Sequence, residues 1–275
     1  MKTLYISDLD GTLLNRCAEL TPFAKETINR FVSNGGYFTV ATARPPVTVM
    51  HILDGVRLSA PAVLLNGVSI YDTRAMKTIK TEALSPLCLS FLFKTLAEHK
   101  ITGFVYTQED GGMTYHYERP GTKRTKELRD ERAEKYGIVY TPVNAFADLF
   151  DREIIYFSAC DQPALLTPAY NRLKTDERLR VEFYKDIYHA DFWQLDVCAA
   201  AASKYNATLY LKETCGFDRI VSFGDNLNDL PLFAASDECY AVSNAIDELK
   251  ERATAVIESN DCDGVAKWLG GLSFA

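Results

Sequence analysis

Apolar runs alternate with stretches of helical periodicity along the first 65 residues of the chain. A run of apolar or β-branched residues predicts a strand, and apolar positions that recur every three or four residues predict a helix. The pattern predicts strands at 3–7, 37–41 and 62–65 and helices at 21–34 and 47–53. Such alternation is typical of a parallel sheet. A β-hairpin is predicted next, with residues 69–71 paired to residues 78–80.

The pattern changes between residues 83 and 198, where helices and strands no longer alternate one by one. Helices are predicted at 86–100, 123–136 and 164–174, and strands at 103–106, 113–117, 154–159, 181–184 and 192–197. The alternation then returns, with a helix at 205–214, a strand at 219–223, a helix at 227–234 and a strand at 240–242. We therefore predict an α/β fold whose parallel-sheet core, residues 1–82 and 199–275, is interrupted by an inserted α+β domain, residues 83–198.

Two carboxylates stand one residue apart where the first predicted strand ends. Asp8 and Asp10 follow the apolar run at 3–7, and Gly11 allows the backbone to approach an anion closely. Ligands gather at the carboxyl ends of parallel strands, so a site is expected here. Carboxylates this close repel each other unless a divalent cation neutralises them or one takes a proton. Since the donors are oxygens, Mg²⁺ is the natural cation.

A calcium-binding EF-hand loop is a rival interpretation, because Asp8, Asp10 and Glu19 match its first, third and twelfth positions. It fails because Leu13 stands where that loop needs glycine, and because a strand precedes the segment. A turn capped by an aspartate would explain Asp10 and Gly11. It would not explain two carboxylates directly after a buried strand.

A second acidic group follows the predicted strand at 219–223. Asp225 lies in the expected turn, and Asn228 and Asp229 follow three and four residues later, near it on the first turns of a helix. Helix capping alone would also place acidic residues here. The occurrence of Asp8 at another strand end favours a shared site instead.

Two further side chains could bind phosphate oxygens. Thr42 directly follows the predicted strand at 37–41, and Lys204 precedes the helix at 205–214. By itself, a hydroxyl at a strand end commonly caps the next helix, and a single lysine commonly lies in solvent. What favours a common site is the order along the chain, in which Thr42 and Lys204 lie between the two acidic groups.

In this order the residues resemble the haloacid dehalogenase-like superfamily of phosphohydrolases. Its four motifs are matched by Asp8-Leu9-Asp10-Gly11-Thr12, Thr42, Lys204, and Gly224-Asp225 with Asn228-Asp229. The closer resemblance is to the Cof-type branch, which carries a large type IIB α/β cap between the second and third motifs. The segments that resemble this branch are 41–45, 65–68, 243–245 and 260–266. The resemblance implies a Rossmann-like core with an inserted cap that selects the substrate. The branch usually has glycine where Ala43 and Tyr205 stand here.

The resemblance also implies catalytic roles. Asp8 would attack phosphorus and form an aspartyl-phosphate, which splits one difficult displacement into two easier ones. Asp10 would protonate the leaving alcohol and later take a proton from water. Mg²⁺ would be held by the Asp8 side chain, the Asp10 carbonyl and Asp225, with Asp229 as an indirect or water-mediated ligand.

Phosphate binding would involve a separate set of groups. The resemblance assigns it to Thr42, Lys204, Asn228 and the backbone amides around Leu9 and Ala43. Arg44, which follows the second motif, would line the core side of the pocket, although an ion pair would explain it equally well. In the insertion, Lys123, Arg124 and Lys126 could guide a phosphorylated substrate, but a solvated helix face is the simpler interpretation.

Composition narrows the class of protein. The chain has 275 residues, a net charge of −7 and an apolar fraction of 47%. The acidic balance argues against a nucleic-acid partner, and no stretch has the length of a signal peptide or membrane span. Seven cysteines without a Cys-x-x-Cys pair indicate reduced thiols rather than zinc or disulfides. We expect a cytoplasmic protein whose partner is a small phosphorylated metabolite, with no membrane partner.

The predicted function is magnesium-dependent hydrolysis of small phosphomonoesters. Sugar phosphates are the first candidates, followed by pyridoxal phosphate and nucleotide-like esters. A phosphomutase that uses the same aspartyl-phosphate stays open, as does a phospho-accepting signalling module, although such a module has no large insertion. The oligomeric state is not predictable from the sequence.

Overall fold

The computed structural model describes residues 1–110, 112–118, 121–186, 189 and 191–272. The chain divides into two compact units. The first unit combines Met1–Lys80 with Ser203–Ala275, and the second is Thr81–Ala202. That each unit is a functional domain, with boundaries at 82/83 and 198/199, stays a prediction.

The elements of the structure follow in chain order. The first stretch contains β1 (Thr3–Ser7), α1 (Pro22–Ser33), β2 (Tyr37–Val40), α2 (Pro46–Ile52), β3 (Ala62–Leu64), β4 (Ser69–Asp72) and β5 (Lys77–Thr81). The middle stretch contains α3 (Pro86–Glu98), β6 (Phe104–Glu109), β7 (Gly112–Glu118), α4 (Lys123–Tyr136), β8 (Tyr140–Val143), β9 (Glu153–Asp161), α5 (Pro163–Leu173), β10 (Leu179–Lys185) and β11 (Trp193–Ala199). The last stretch contains α6 (Lys204–Thr214), β12 (Arg219–Gly224), α7 (Leu230–Ala234), β13 (Glu238–Val242), α8 (Asp247–Lys250), β14 (Ala255–Ile257) and α9 (Gly264–Gly270).

The first unit contains a five-stranded sheet in the order β14-β13-β12-β1-β2, and every strand pair in it is parallel. Its two faces are covered by separate apolar clusters. Leu4 and Ile6 of β1 pack with Leu211 of α6, whereas Tyr5 packs with the cluster that contains Phe31 of α1. Burial on both faces is why the strands are nearly continuous apolar runs. The predicted α/β class is confirmed.

One predicted core strand belongs to a different sheet. The strand at 62–65 was expected to continue the parallel sheet, but β3 pairs antiparallel with β4 in a three-stranded sheet of order β3-β4-β5. A parallel bridge between Ala41 and Val63 links β3 to the core sheet. The cause is the turn Leu65–Gly67, where three successive residues have φ of 51°, 54° and 100° and the chain reverses. The predicted hairpin is correct, since β4 and β5 are neighbours.

The second unit contains a six-stranded sheet in the order β10-β11-β9-β6-β7-β8. Its pairs are antiparallel except for the parallel pair of β7 and β8. Its apolar core includes Leu92 of α3, Phe157 of β9 and Leu195 of β11, which are completely buried. The strand β8 was not predicted, because it is short, contains Pro142 and lies at the sheet edge, where proline is tolerated.

Two local differences concern helices. The helix predicted at 227–234 begins only at Leu230, because Leu227–Asp229 forms a 3₁₀ turn capped by Asn226. Arg124 was expected on a solvated helix face, but α4 buries its side chain, of which 5% is exposed.

Within the described part of the chain, no helix is long and apolar enough to cross a membrane.

Candidate active site

The first carboxylate turn follows β1 at the carboxyl edge of the core sheet. The Leu14 N–H donates to the Leu9 carbonyl at 2.9 Å and closes a wide turn. Within it, Asp10 and Gly11 leave the helical region, through a ψ of 119° at Asp10 and a φ of 78° at Gly11. A Cβ on Gly11 would lie 2.5 Å from Asp225 Oδ2, so glycine is required both by its φ and by this close approach.

The second carboxylate turn lies beside the first because β1 and β12 are parallel neighbours. Ser7 is in register with Phe223, and the Asp8 N–H donates to the Phe223 carbonyl at 3.0 Å. The Thr12 hydroxyl donates to Asp225 Oδ1 at 2.8 Å and joins the two turns. The expected meeting of the two strand ends is therefore present in the structure.

Asp229 is held by backbone groups of its own turn. Its Oδ2 accepts from the Asp225 N–H at 2.9 Å and from the Asn226 N–H at 3.2 Å. A Cβ on Gly224 would lie 2.7 Å from the Asp229 Cβ, so the strand end allows this approach only with glycine. Asp229 thus acts as a capping residue and as a member of the acidic group.

Lys204 links the two acidic turns. It is the first residue of α6, its side chain is 0% exposed, and its Nζ lies 2.6 Å from Asp8 Oδ1 and 2.7 Å from Asp229 Oδ1. The common expectation of a solvated lysine is wrong here. The helix start packs against Gly67, where a Cβ would come within 2.2 Å of the Ser203 carbonyl.

The electrostatics of the group are dominated by burial. Burial raises the pKa of Asp8 well above its usual value against the opposing effect of Lys204, and Asp229 and Asp225 raise it further. Burial and then the Asp229 charge raise the pKa of Asp225 to about 7. Burial would lower the pKa of Lys204, but Asp229 and Asp8 outweigh it and raise that pKa. The Lys204 ammonium contacts two of the three carboxylates, so the group has more negative than positive charge.

A divalent cation fits this deficit. Asp8, Asp225 and Asp229 each offer a carboxylate oxygen, and these atoms lie within 4.8 Å of one another. A donor set made only of oxygens suits a hard cation such as Mg²⁺. The added positive charge would favour the ionised form of the carboxylates whose pKa values are raised.

The Asp10 carboxylate is not part of this group. It accepts two hydrogen bonds from Arg44, from Nε at 2.7 Å and from Nη2 at 2.6 Å. Of the two interpretations of Arg44, the ion pair is present in the structure. The metal contact predicted for Asp10 concerns its backbone carbonyl and stays a prediction.

Residues 5–269 match the haloacid dehalogenase-like hydrolase family. The chain belongs to this family. The 5-amino-6-(5-phospho-D-ribitylamino)uracil phosphatase YwtE of Bacillus subtilis strain 168 is 30% identical over 99% of this chain and 98% of that protein. The pyridoxal phosphate phosphatase YbhA of Escherichia coli K12 is 26% identical over 95% of both chains. The solved structure of TM0651 from Thermotoga maritima has a TM-score of 0.81 at 21% identity, covering 100% of this chain and 99% of that one.

These findings confirm that the chain is a haloacid dehalogenase-like hydrolase of the Cof type, and an enzyme of the phosphatase kind. They also confirm the Rossmann-like core with an additional cap domain. The roles of the individual site residues are not settled by family membership and stay predictions.

The other residues predicted to bind phosphate in this hydrolase lie at the same edge of the sheet or beside it. Thr42 follows β2, the neighbour of β1, and its hydroxyl accepts from the Arg44 N–H at 3.2 Å. Ala43 is half-buried between them, and Asn228 is half-buried beside Asp229. The Leu9 side chain is completely buried in the apolar core.

Three residues of the site were missed by sequence reasoning. Thr12 contacts Asp225, and Asn244 and Asn260 donate to carbonyls of the first carboxylate turn. Thr12 lies in the first motif, and the asparagines lie in segments that resemble the Cof-type branch. No role could be assigned to these residues from the sequence, because their partners are more than 200 positions away.

Proposed function

We propose that this hydrolase is a magnesium-dependent phosphatase of small phosphomonoesters, with Asp8 as the residue that accepts the phosphoryl group. The observation that supports this most is the buried Asp8 carboxylate in contact with Lys204, beside Asp225 and Asp229. Fixed charges in a buried site act more strongly than in water, which suits the slow hydrolysis of phosphomonoesters.

In the proposed reaction, an Asp8 oxygen forms a bond to phosphorus while the bond to the leaving alcohol breaks. Lys204 holds the other Asp8 oxygen and keeps the carboxylate oriented. Asp10 gives a proton to the leaving oxygen and later takes one from the water that cleaves the aspartyl-phosphate. The proton-donating step requires the Asp10 ion pair with Arg44 to open and Asp10 to take up a proton from solvent first.

A bound divalent cation would neutralise part of the negative charge of Asp8 and of the phosphate. The cation would be held by Asp8, Asp225 and the carbonyl of Asp10. Asp229 would be an indirect or water-mediated ligand. The remaining phosphate oxygens would be bound by Thr42, Lys204, Asn228 and the amides around Leu9 and Ala43.

The proposed substrates are sugar phosphates first, followed by pyridoxal phosphate and related esters. Two relatives are named as phosphatases of a ribityl phosphate and of pyridoxal phosphate, which are both small phosphomonoesters. A cytoplasmic location and the lack of nucleic-acid and membrane partners stay predictions.

Phosphate release from a panel of phosphomonoesters with Mg²⁺ tests the proposal. We expect release to vanish in Asp8→Asn and with a chelator, and to persist in Asp54→Asn, which removes an exposed carboxylate from the same unit. Release that survives Asp8→Asn would contradict the mechanism. No release from any ester, with Asp8 still modified by acetyl phosphate, would favour a mutase or a signalling module.

A further inference from the structure

The backbone of the first carboxylate turn is held by two asparagines from the C-terminal part of the chain. Asn244 Nδ2 donates to the Gly11 carbonyl at 2.8 Å, and Asn260 Nδ2 donates to the Leu14 carbonyl at 2.9 Å. The two asparagines are joined, since the Asn260 N–H donates to Asn244 Oδ1 at 3.0 Å. Both ends of the Asn244 amide are therefore used in long-range contacts.

The same C-terminal segment also holds the second carboxylate turn. The Ile246 N–H, two residues after Asn244, donates to the Asp225 carbonyl at 3.0 Å. Asn244 and Ile246 lie between β13 and α8. One short segment thus contacts Gly11 through the Asn244 side chain and Asp225 through the Ile246 backbone. We call Asn244, Ile246 and Asn260 the C-terminal clamp.

The two carboxylate turns that the clamp contacts lie very close to each other. The Gly11 Cα lies so near Asp225 that an added Cβ would come within 2.5 Å of Oδ2. Thr12, the next residue, donates to the other oxygen of the same carboxylate. A shift of the Gly11 carbonyl would therefore move Thr12 and the Asp225 side chain with it, and oxygen positions decide the affinity of a cation site.

We propose that the C-terminal clamp positions the first carboxylate turn against Asp225 and thereby sets the affinity of the site for a divalent cation. This rests on the proposed function, which places the cation between Asp8 and Asp225. Asn244 and Asn260 are positioning residues, because neither touches a carboxylate oxygen in the structure; they act through the carbonyls of Gly11 and Leu14.

Asn244 is the residue to change, because it is exposed whereas Asn260 is 8% exposed. Removing an exposed amide leaves the apolar core intact, so the variant should fold. Asn29 offers a matched control in the same unit. Its amide also holds a loop at both ends, donating to the Gly55 carbonyl at 2.9 Å and accepting from the Arg57 N–H at 2.8 Å.

The experiment is titration of the metal-free protein with Mn²⁺, followed by electron paramagnetic resonance of the free ion, with no substrate present. We expect Asn244→Ala to weaken Mn²⁺ binding about tenfold, the low end of the loss that follows removal of a residue that positions the ligands of a metal site. Asn29→Ala should bind like the unaltered chain. Asn244→Gln, which keeps the donor, should recover part of the affinity.

Equal affinity of Asn244→Ala and the unaltered chain would overturn the inference. Equal weakening in Asn29→Ala would overturn it as well, since the effect would then be general loosening of the unit. An unaltered chain that binds no Mn²⁺ would instead contradict the proposed function, and this outcome is distinct from the other two.

Discussion

At the scale of single residues, the site depends on one buried ammonium shared by two buried carboxylates. Lys204 contacts Asp8 and Asp229 in a place where none of the three side chains has more than slight exposure. Removing one partner of such a group leaves an uncompensated buried charge, which is far more damaging than the loss of a surface pair.

Lys204→Met is expected to lose phosphatase activity at least about a hundredfold and to lower the free energy of unfolding by about 3–5 kcal/mol. The reason is that Asp8 loses both its orientation and its nearest positive charge. Initial rates and urea unfolding measure the two effects. Lys212→Met on the same helix removes an exposed pair with Asp237 and should change neither by much. Similar losses in both variants would contradict this view.

The metal-free protein is expected to become less stable as pH rises from about 4 to about 7. Burial raises the pKa of Asp225 from 3.8 to about 7, so the folded chain binds this proton more tightly than the unfolded chain does. The stabilisation is therefore present at low pH and lost as pH rises through that window, by an amount on the order of a few kcal/mol.

Urea unfolding with a chelator at pH 5 and pH 8 measures this slope. Asp225→Asn should flatten the slope, and added Mg²⁺ should stabilise the unaltered protein more at pH 8, because metal and protons compete for the carboxylates. A slope that is unchanged in Asp225→Asn would show that other groups control it.

At the scale of elements, the carboxylates meet because β1 and β12 are neighbouring parallel strands. Strand ends could be predicted from the apolar runs, and the helix that carries Lys204 was expected from residue 205. The strands β3 and β8 were misassigned or missed, because a turn with three positive φ values and an edge strand with proline give weak local signals.

Gly11→Ala tests how closely the two turns approach each other. A Cβ there would meet Asp225, so we expect activity to fall at least about tenfold and stability to fall by about 1–3 kcal/mol. Gly35→Ala is the matched control, because its φ is also positive, at 91°, yet nothing lies within 4 Å of its added Cβ. It should lose stability but keep kcat. Unchanged kcat in Gly11→Ala would exclude a role for this contact in catalysis.

At the scale of the whole molecule, the acidic group belongs entirely to one of the two units. Asp8, Asp225 and Asp229 all lie in the unit formed by Met1–Lys80 and Ser203–Ala275. The unit Thr81–Ala202 has its own apolar core between its sheet and its helices. A cation should therefore stabilise the first unit directly.

Hydrogen exchange with and without Mg²⁺ tests this expectation. Amides of β1 and β12 should gain protection, up to about 2.7 kcal/mol at a metal concentration one hundred times Kd. Amides of β9 and β11 in the second unit should gain much less. Equal gains in both units would contradict a cation site confined to the first unit.

The sequence by itself determined the class of the fold, the two acidic strand ends and the order of the four motifs. These features are local, because an apolar run, a turn glycine and a carboxylate can be recognised from adjacent residues. Family membership followed from the same segments.

Only the tertiary structure decided that Lys204 is buried, that Asp10 pairs with Arg44, and that Asn244 and Asn260 hold the first carboxylate turn. Each of these contacts joins residues that are between 34 and 246 positions apart. Their existence depends on strand order and helix packing, which no short stretch of sequence encodes by itself.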